Sequence, residues 1–161
     1  MATGFEEFVS ARGGALLRFA LMICGDPGRA EDLVQNALAK AYPRWGRIAA
    51  LERPEAYVKT MVVHDHLRWW RRGGREIPVA APADGGVADR SGAHADRDAT
   101  WRLLATLPRR QRAVLVLRYY EDLPDAEIAE VLGCSAATVR SQAARALAKL
   151  RTAIPDREAL R

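Results

Sequence analysis

Apolar side chains recur along this chain at steps of three and four residues, and polar side chains fill the positions between them. Such spacing is typical of α-helices that bury one face against a common core. The pattern breaks once, between residues 1–75 and residues 97–161, and no internal repeat relates the two halves. We therefore predict an all-α protein of two small helical domains, joined by a flexible linker over residues 76–96.

The first domain is predicted to begin with a helix from Phe5 to Cys24, in which Gly13 and Gly14 are the positions where it would bend. Gly25 and Pro27 end this helix, and Asp26 between them is a suitable N-cap for the next one.

The second helix begins near Ala30 and has one apolar and one polar face. The apolar face carries Ala30, Leu33, Val34, Ala37, Leu38, Ala41 and Trp45, and the polar face carries Glu31, Asp32, Gln35, Asn36 and Lys40. By composition alone the polar face is a solvated surface, and the two carboxylates in its first turn also favour the helix dipole.

The third helix is opened by Pro54 and changes character along its length. Its apolar residues are Tyr57, Val58, Met61, Val62 and Leu67, and its far end interleaves rings with cations at Arg68, Trp69, Trp70, Arg71, Arg72 and Arg75. Rings that stack on bases and cations that follow phosphates would suit DNA strand separation. Core tryptophans beside acid-paired arginines are an equally good interpretation of this stretch alone.

The predicted linker is rich in Gly, Ala, Pro and Asp and lacks a helical period. Its acidic residues suit either a solvated tether or a segment lying along a basic channel. Beyond it, Trp101, Leu104 and Leu107 line a short helix, and Pro108 suits the first position of the helix that follows. The tail after Ile154 is expected to fray.

A helix-turn-helix is predicted from Leu123 to Arg151. Ala129 is small enough for two helices to cross closely, Gly133 supplies a positive φ in the turn, and Val139 locks the second helix onto the first. Ser135 is then the N-cap of the second helix. That helix has four basic residues and no acidic one, which suits the phosphate-lined major groove of DNA.

Composition changes this interpretation little. The chain has 25 basic and 20 acidic residues, a formal net charge of +5, which fits a polyanionic partner but is also ordinary for a soluble protein. No apolar run approaches the roughly 20 residues of a membrane span, so we expect a cytoplasmic protein. Cys24 and Cys134 lack the spacing of a zinc site, and we expect reduced thiols, no metal and no cofactor.

The residues of both halves resemble a known family. The stretch LPRRQRAVLVLRYYEDLPDAEIAEVLGCSAATVRSQAARALAKLR resembles region 4 of extracytoplasmic-function RNA polymerase sigma factors of the sigma-70 family, and AEDLVQNALAKAYPRWGRI followed by RPEAYVKTMVVHDHLRWWRR resembles their region 2. The resemblance covers about residues 5–75 and 97–152, in the family's order, and the actinobacterial sigma-E-like branch is the most similar.

The resemblance implies a promoter-specific initiation subunit without catalysis of its own. Its implied partners are core RNA polymerase, through the clamp helices of the largest subunit and the flap of the second-largest, promoter DNA, and in some members an anti-sigma factor. Core-binding candidates are Asp32, Gln35, Asn36 and Lys40. Candidates for reading and opening the −10 element are His64, Arg68, Trp69, Trp70, Arg71 and Arg72, and candidates for the −35 element are Thr138, Arg140, Ser141, Arg145 and Lys149.

The sequence departs from the family pattern at two places. His64-Asp65 stands where many members have an Asn that holds an extruded −10 base, which predicts altered base preference or capture. Pro124 stands where many have a capping Ser at the start of the helix-turn-helix, so Asp122 or Asp125 is expected to help cap that helix.

Two other functions fit the sequence less well. A conventional helix-turn-helix regulator binds an operator alone, usually as a dimer, but the chain has no obvious dimerisation helix and the N-terminal resemblance would be unexplained. An enzyme acting on nucleic acid needs a metal or acid/base cluster. His64 and His66 lie on different faces of one helix and His94 lies in the linker, so no such cluster is predicted.

Overall fold

The structure, a computed structural model, describes residues 4–73 and 92–153. All secondary structure in these residues is helical. This agrees with the predicted all-α class. The chain divides into two compact units, unit 1 within Met1–Val79 and unit 2 within Ala80–Arg161. The predicted linker lies outside the described residues except for its last few positions, and so does the tail after Ile154.

Unit 1 contains helices α1 (Phe5–Cys24), α2 (Pro27–Ala41), α3 (Trp45–Ala49) and α4 (Pro54–Arg71). The predicted boundary between α1 and α2 is confirmed. Gly25 adopts a φ of 84°, and the Asp26 carboxylate accepts a hydrogen bond from the Arg29 N–H at 2.8 Å. Helix α2 ends at Ala41 because Pro43 leads into a 3₁₀ turn, Tyr42–Arg44, so Trp45 belongs to α3 rather than to α2.

The core of unit 1 lies between α1, α2 and α4. Fully enclosed side chains come from all three helices, among them Leu16, Phe19, Ile23, Leu33, Ala37, Val58 and Val62. The prediction that Tyr57 belongs to the core is wrong, since this residue is 39% exposed. The buried stripe of α4 follows Val58, Val62 and His66, and a residue one position before Val58 is rotated away from that stripe.

Unit 2 contains α5 (Gly92–Ala105), α6 (Arg109–Leu115), a π turn (Val116–Tyr120), α7 (Asp125–Leu132) and α8 (Ala136–Ala153). Helix α5 begins at Gly92, earlier than its apolar pattern predicts. Pro108 is the N-cap of α6 rather than its first residue. In the π turn the Glu121 N–H donates to the Val116 carbonyl at 3.1 Å, and Asp122 follows with a φ of 53°.

The core of unit 2 is built on α5, α6, α7 and α8. The predicted residues Trp101, Leu104, Leu107, Val114, Leu115, Leu117, Ile128, Val139 and Ala143 are all buried. Leu147 and Leu150 are only half-buried, and Ala146 takes the enclosed position on that turn of α8. Arg112 is also buried, at 1% exposure.

Candidate nucleic-acid interface

The turn between α7 and α8 has the predicted helix-turn-helix geometry. Gly133 adopts a φ of 68° and a ψ of 40°, the left-handed conformation that a Cβ atom disfavours. The next N–H, that of Cys134, donates to the Ala129 carbonyl at 3.0 Å and completes the end of α7. Ala129 and Val139 are buried between the two helices, as predicted.

Ser135 caps α8, which confirms the predicted N-cap. Its hydroxyl accepts a hydrogen bond from the Thr138 N–H at 3.1 Å and lies 2.9 Å from the Thr138 hydroxyl. Thr138, a predicted −35 contact, is half-buried, and its hydroxyl lies against the capping hydroxyl of Ser135.

The outer face of α8 is basic and exposed. Arg140, Ser141, Arg145 and Lys149 are all exposed, while Val139, Ala143 and Ala146 face the core. Among the residues that the structure describes, none of these three cations is paired with a carboxylate. The helix thus presents three unpaired positive charges, spread over its exposed surface, together with short side chains, as expected of a major-groove reader.

The entry to α7 differs from the prediction. Helix α7 follows Pro124, which fixes its own φ at −68°, and no side chain caps the helix. The Asp125 carboxylate lies 3.4 Å from the Arg118 Nε instead, and Asp122 occupies the positive-φ position of the loop. The expectation that Asp122 or Asp125 caps α7 is therefore wrong, because Arg118 from the π turn engages Asp125.

The polar face of α2 is exposed along its length. Glu31, Asp32, Gln35, Asn36 and Lys40 are all exposed, opposite the enclosed Ala30, Leu33, Val34 and Ala37. Lys40 differs from the rest because its Nζ lies 2.6 Å from Asp65 Oδ1 on α4. Asp65 is 12% exposed and also lies 3.9 Å from the Arg68 guanidinium, so it links α2 to the basic end of α4.

The two tryptophans at the end of α4 are half-buried, and each contacts a polar side chain. The Trp70 Nε1–H donates to His66 Nε2 at 3.0 Å, and the Trp69 and Trp70 rings meet edge to face at 5.1 Å. The guanidinium carbon of Arg29, on α2, lies over the Trp69 ring at 3.8 Å from its centroid. We name Arg29, His66, Trp69 and Trp70 the aromatic cluster. It lies beside Arg68, Arg71 and Arg72, which are exposed.

His64 and His66 face different environments, as predicted, with His64 exposed and His66 buried at 3% exposure. Asp65, between them, is bound to Lys40, so the carboxylate at this family departure is already engaged within unit 1. Sequence reasoning missed Arg29 and His66 as members of this region, and it did not predict that Asp65 binds Lys40. Arg29 and Trp69 are forty positions apart, and only the packing of α2 on α4 brings them together.

No helix in residues 4–73 or 92–153 is long and apolar enough to cross a membrane. Over the same residues, no group of three or more His, Cys, Asp or Glu side chains is arranged to hold a metal ion. Cys24 and Cys134 are half-buried thiols, and the Cys24 thiol donates a hydrogen bond to the Asp26 carbonyl at 3.4 Å.

Two family models match this chain in succession. The model of sigma-70 region 2 matches residues 8–76, which include α1 to α4, and the model of sigma-70 region 4 matches residues 97–150, which include the helix-turn-helix.

Full-length relatives give the same result. The RNA polymerase sigma-E factor of Streptomyces avermitilis is 41% identical over 155 residues, covering 96% of this chain and 87% of the relative. The RNA polymerase sigma-E factor of Streptomyces coelicolor is 39% identical over 155 residues, covering 96% and 88%. The fold is similar to that of the sigma factor RpoE from Bartonella quintana, solved with the anti-sigma factor NepR, with a TM-score of 0.68, 22% identity and coverage of 92% of this chain and 94% of that one.

Proposed function

The chain belongs to the sigma-70 family of RNA polymerase sigma factors, in the extracytoplasmic-function group, and on that premise we propose how its two units divide the work of promoter recognition. It is a promoter-specific transcription initiation subunit that binds core RNA polymerase and promoter DNA. The observation that carries this function is the ordered pair of region 2 and region 4 over one chain.

Unit 1 docks on the clamp helices of the largest polymerase subunit through the polar face of α2. Exposure supports this role for Asp32, Gln35 and Asn36, because their side chains face solvent and are not part of the core of unit 1. Lys40 has a second task because it is bound to Asp65. Its loss is therefore expected to affect the packing of α2 on α4 as well as polymerase binding.

The C-terminal half of α4 reads and opens the −10 element. Its exposed residues Arg68, Arg71 and Arg72 supply phosphate contacts, and His64 lies on the exposed side of the same helix. Trp69 and Trp70 supply apolar surface for unstacked bases. We expect Trp69→Ala with Trp70→Ala to impair opening more than core binding; permanganate footprints identical to those of the unchanged protein would contradict this.

Unit 2 reads the −35 element with α8 in the major groove. Arg140, Ser141 and Arg145 are the candidates for base or phosphate contacts, and Lys149, further along α8, is a phosphate contact. Thr138 is the least free of the set, because its hydroxyl lies against Ser135. Contact with the polymerase flap is assigned to the same unit by the family resemblance alone.

The polymerase performs the chemistry, and we propose that this chain contributes specificity and opening without a reaction of its own. Its place of action is then the cytoplasm, where the polymerase and its template meet. An anti-sigma factor is a further proposed partner, by analogy with the complex in which the RpoE relative was solved. Co-purification from cells, followed by mass spectrometry, would identify such a partner alongside the polymerase subunits.

The direct test is transcription in vitro with purified core RNA polymerase and a library of random promoter sequences. We expect the full chain to direct initiation from a subset of sequences that share two spaced elements. No promoter-dependent initiation, together with no binding to core polymerase, would refute the proposed function. Binding to duplex DNA without polymerase would instead favour a conventional helix-turn-helix regulator.

A further inference from the structure

The end of α4 is held by a residue of another helix. Arg29 lies in the first turn of α2, and its guanidinium covers Trp69 at 3.8 Å from the ring centroid. Behind that ring, Trp70 packs edge to face and is itself fixed by its hydrogen bond to the buried His66. The aromatic cluster therefore forms a continuous set of contacts that begins at Arg29 on α2 and ends at the buried His66 of α4.

The position of Arg29 is itself fixed from two sides. Its backbone N–H is bound by the Asp26 carboxylate that caps α2, which sets the direction in which the side chain leaves the helix. The guanidinium is half-buried, and its enclosed Nε has no hydrogen-bond acceptor among the residues that the structure describes. Packing against the indole face is the contact that it makes in place of an Nε hydrogen bond.

The charge of Arg29 is retained in this site. Burial lowers the pKa of its guanidinium, while Cys24, Asp32, Asp26 and Asp65 act in the opposite direction. Since the guanidinium is the most basic of the side-chain groups, Arg29 stays protonated at neutral pH. A protonated planar group over an indole face is a favourable arrangement that a neutral side chain of the same length does not reproduce.

We infer that Arg29 is a positioning residue for promoter opening, which acts by holding Trp69, and through it Trp70, in one orientation beside the basic end of α4. This inference rests on the proposed role of the two tryptophans in opening. A ring that must meet an unstacked base loses effectiveness when it rotates among several rotamers before DNA arrives. Arg29 suppresses that rotation from α2, the helix whose polar face is proposed to dock on the polymerase.

The test compares Arg29→Met, Arg29→Lys and Arg29→Met combined with Trp69→Ala, each in the full chain with core polymerase and a duplex promoter. Arg18→Met is the matched control, because Arg18 is an exposed arginine of α1 outside the aromatic cluster. The readouts are core affinity, the rate of permanganate-detected opening, and the near-ultraviolet circular dichroism of the free protein, which reports how rigidly the indoles are held.

If Trp69 occupies its productive rotamer only about a tenth of the time without Arg29, Arg29→Met opens the promoter roughly tenfold more slowly. Core affinity should be unchanged, and the indole circular dichroism should weaken. Arg29→Lys should recover part of the rate, since an ammonium also binds an indole face. Arg18→Met should match the unchanged protein. In the Trp69→Ala background, Arg29→Met should add no further loss.

Opening at the unchanged rate by a folded Arg29→Met variant would overturn the inference. The inference would also be overturned if Arg29→Met slowed opening by the same factor in the Trp69→Ala variant as in the unchanged protein. Arg29 would then act on DNA or polymerase without Trp69. The proposed role of the tryptophans fails separately: if Trp69→Ala with Trp70→Ala opens promoters normally, the tryptophans have no role in opening, whatever Arg29 does.

Discussion

Helix α8 of unit 2 and the C-terminal half of α4 in unit 1 are both basic and both proposed to contact promoter DNA, yet their side chains are held in opposite ways. The cations of α8 stand exposed, and among the described residues they pair with no carboxylate. On α4, Asp65 is bound by Lys40, Trp70 by His66 and Trp69 by Arg29. A duplex reader needs free donors on a rigid frame, whereas a surface that captures unstacked bases needs its rings held in place.

The largest expected effect comes from removing one free donor of α8. Arg145→Ala should weaken binding to a −35 promoter by about 1–3 kcal/mol if the guanidinium reaches a base edge. Lys149→Ala is the comparison, with a smaller loss that is similar for all sequences and a salt dependence reduced by roughly one counterion. Affinities of the holoenzyme, measured across salt on promoters with and without the −35 match, check both. Equal losses on the two promoters would show that Arg145 contacts only phosphate.

The turn that positions α8 is tested by substituting Gly133, with Gly46 of unit 1 as a comparison whose backbone conformation is ordinary. Gly133→Ala should destabilise unit 2 by about 1–2 kcal/mol, because its φ of 68° is strained for a residue with a Cβ atom. Gly46, in α3, has open space where a Cβ atom would lie, and its φ is not positive. Gly46→Ala should therefore stabilise unit 1 by about 0.5–1 kcal/mol. Urea denaturation of both variants measures the difference, and destabilisation of the same size at both sites would contradict the explanation from backbone strain.

Loss of the α8 cap should have a smaller effect. Ser135→Ala removes the acceptor of the Thr138 N–H and should cost about 1 kcal/mol of stability. Ser141→Ala is a matched control for stability, since Ser141 is exposed on the same helix and far from its end. Thermal denaturation should show a lower midpoint for the first variant alone; a shared decrease would indicate that the cap hydrogen bond is not responsible.

The smallest effect is expected from the ion pair that joins α2 to α4. Lys40 is half exposed, so Lys40→Met should cost on the order of 0.5–1 kcal/mol, less at high salt. Lys40→Met combined with Asp65→Asn should recover part of this loss, because the enclosed carboxylate no longer lacks its partner. Denaturation at low and high salt gives the coupling energy. Additive losses would show that the two side chains do not stabilise each other.

The contrast between α8 and α4 also explains what the sequence could and could not predict. The helix-turn-helix depends on contacts within a few residues, so the spacing of Ala129, Gly133 and Val139 predicted its turn and the Ser135 cap correctly. The break at Gly25 and the Asp26 cap were predictable for the same reason. Which residues touch DNA or polymerase stays a prediction in both units.

Features that depend on contacts between distant helices were not predictable. The periodicity of α4 did not indicate that Trp69 is covered by Arg29 or that Asp65 binds Lys40, because those partners come from α2. The same limit applies at Asp125, where local rules favoured a cap and Arg118, from the preceding π turn, engages the carboxylate. The rotation of Tyr57 out of the core likewise follows from how α4 packs on its neighbours.

The π turn at Val116–Tyr120 has a consequence for chain length within this family. A π turn accommodates one more residue than an α turn, so deleting a residue there would close it into a regular α turn and leave the chain before and after it in nearly the same rotational register. Relatives that are one residue shorter at these five positions should accordingly have a regular α turn there and keep the direction in which α7 leaves α6.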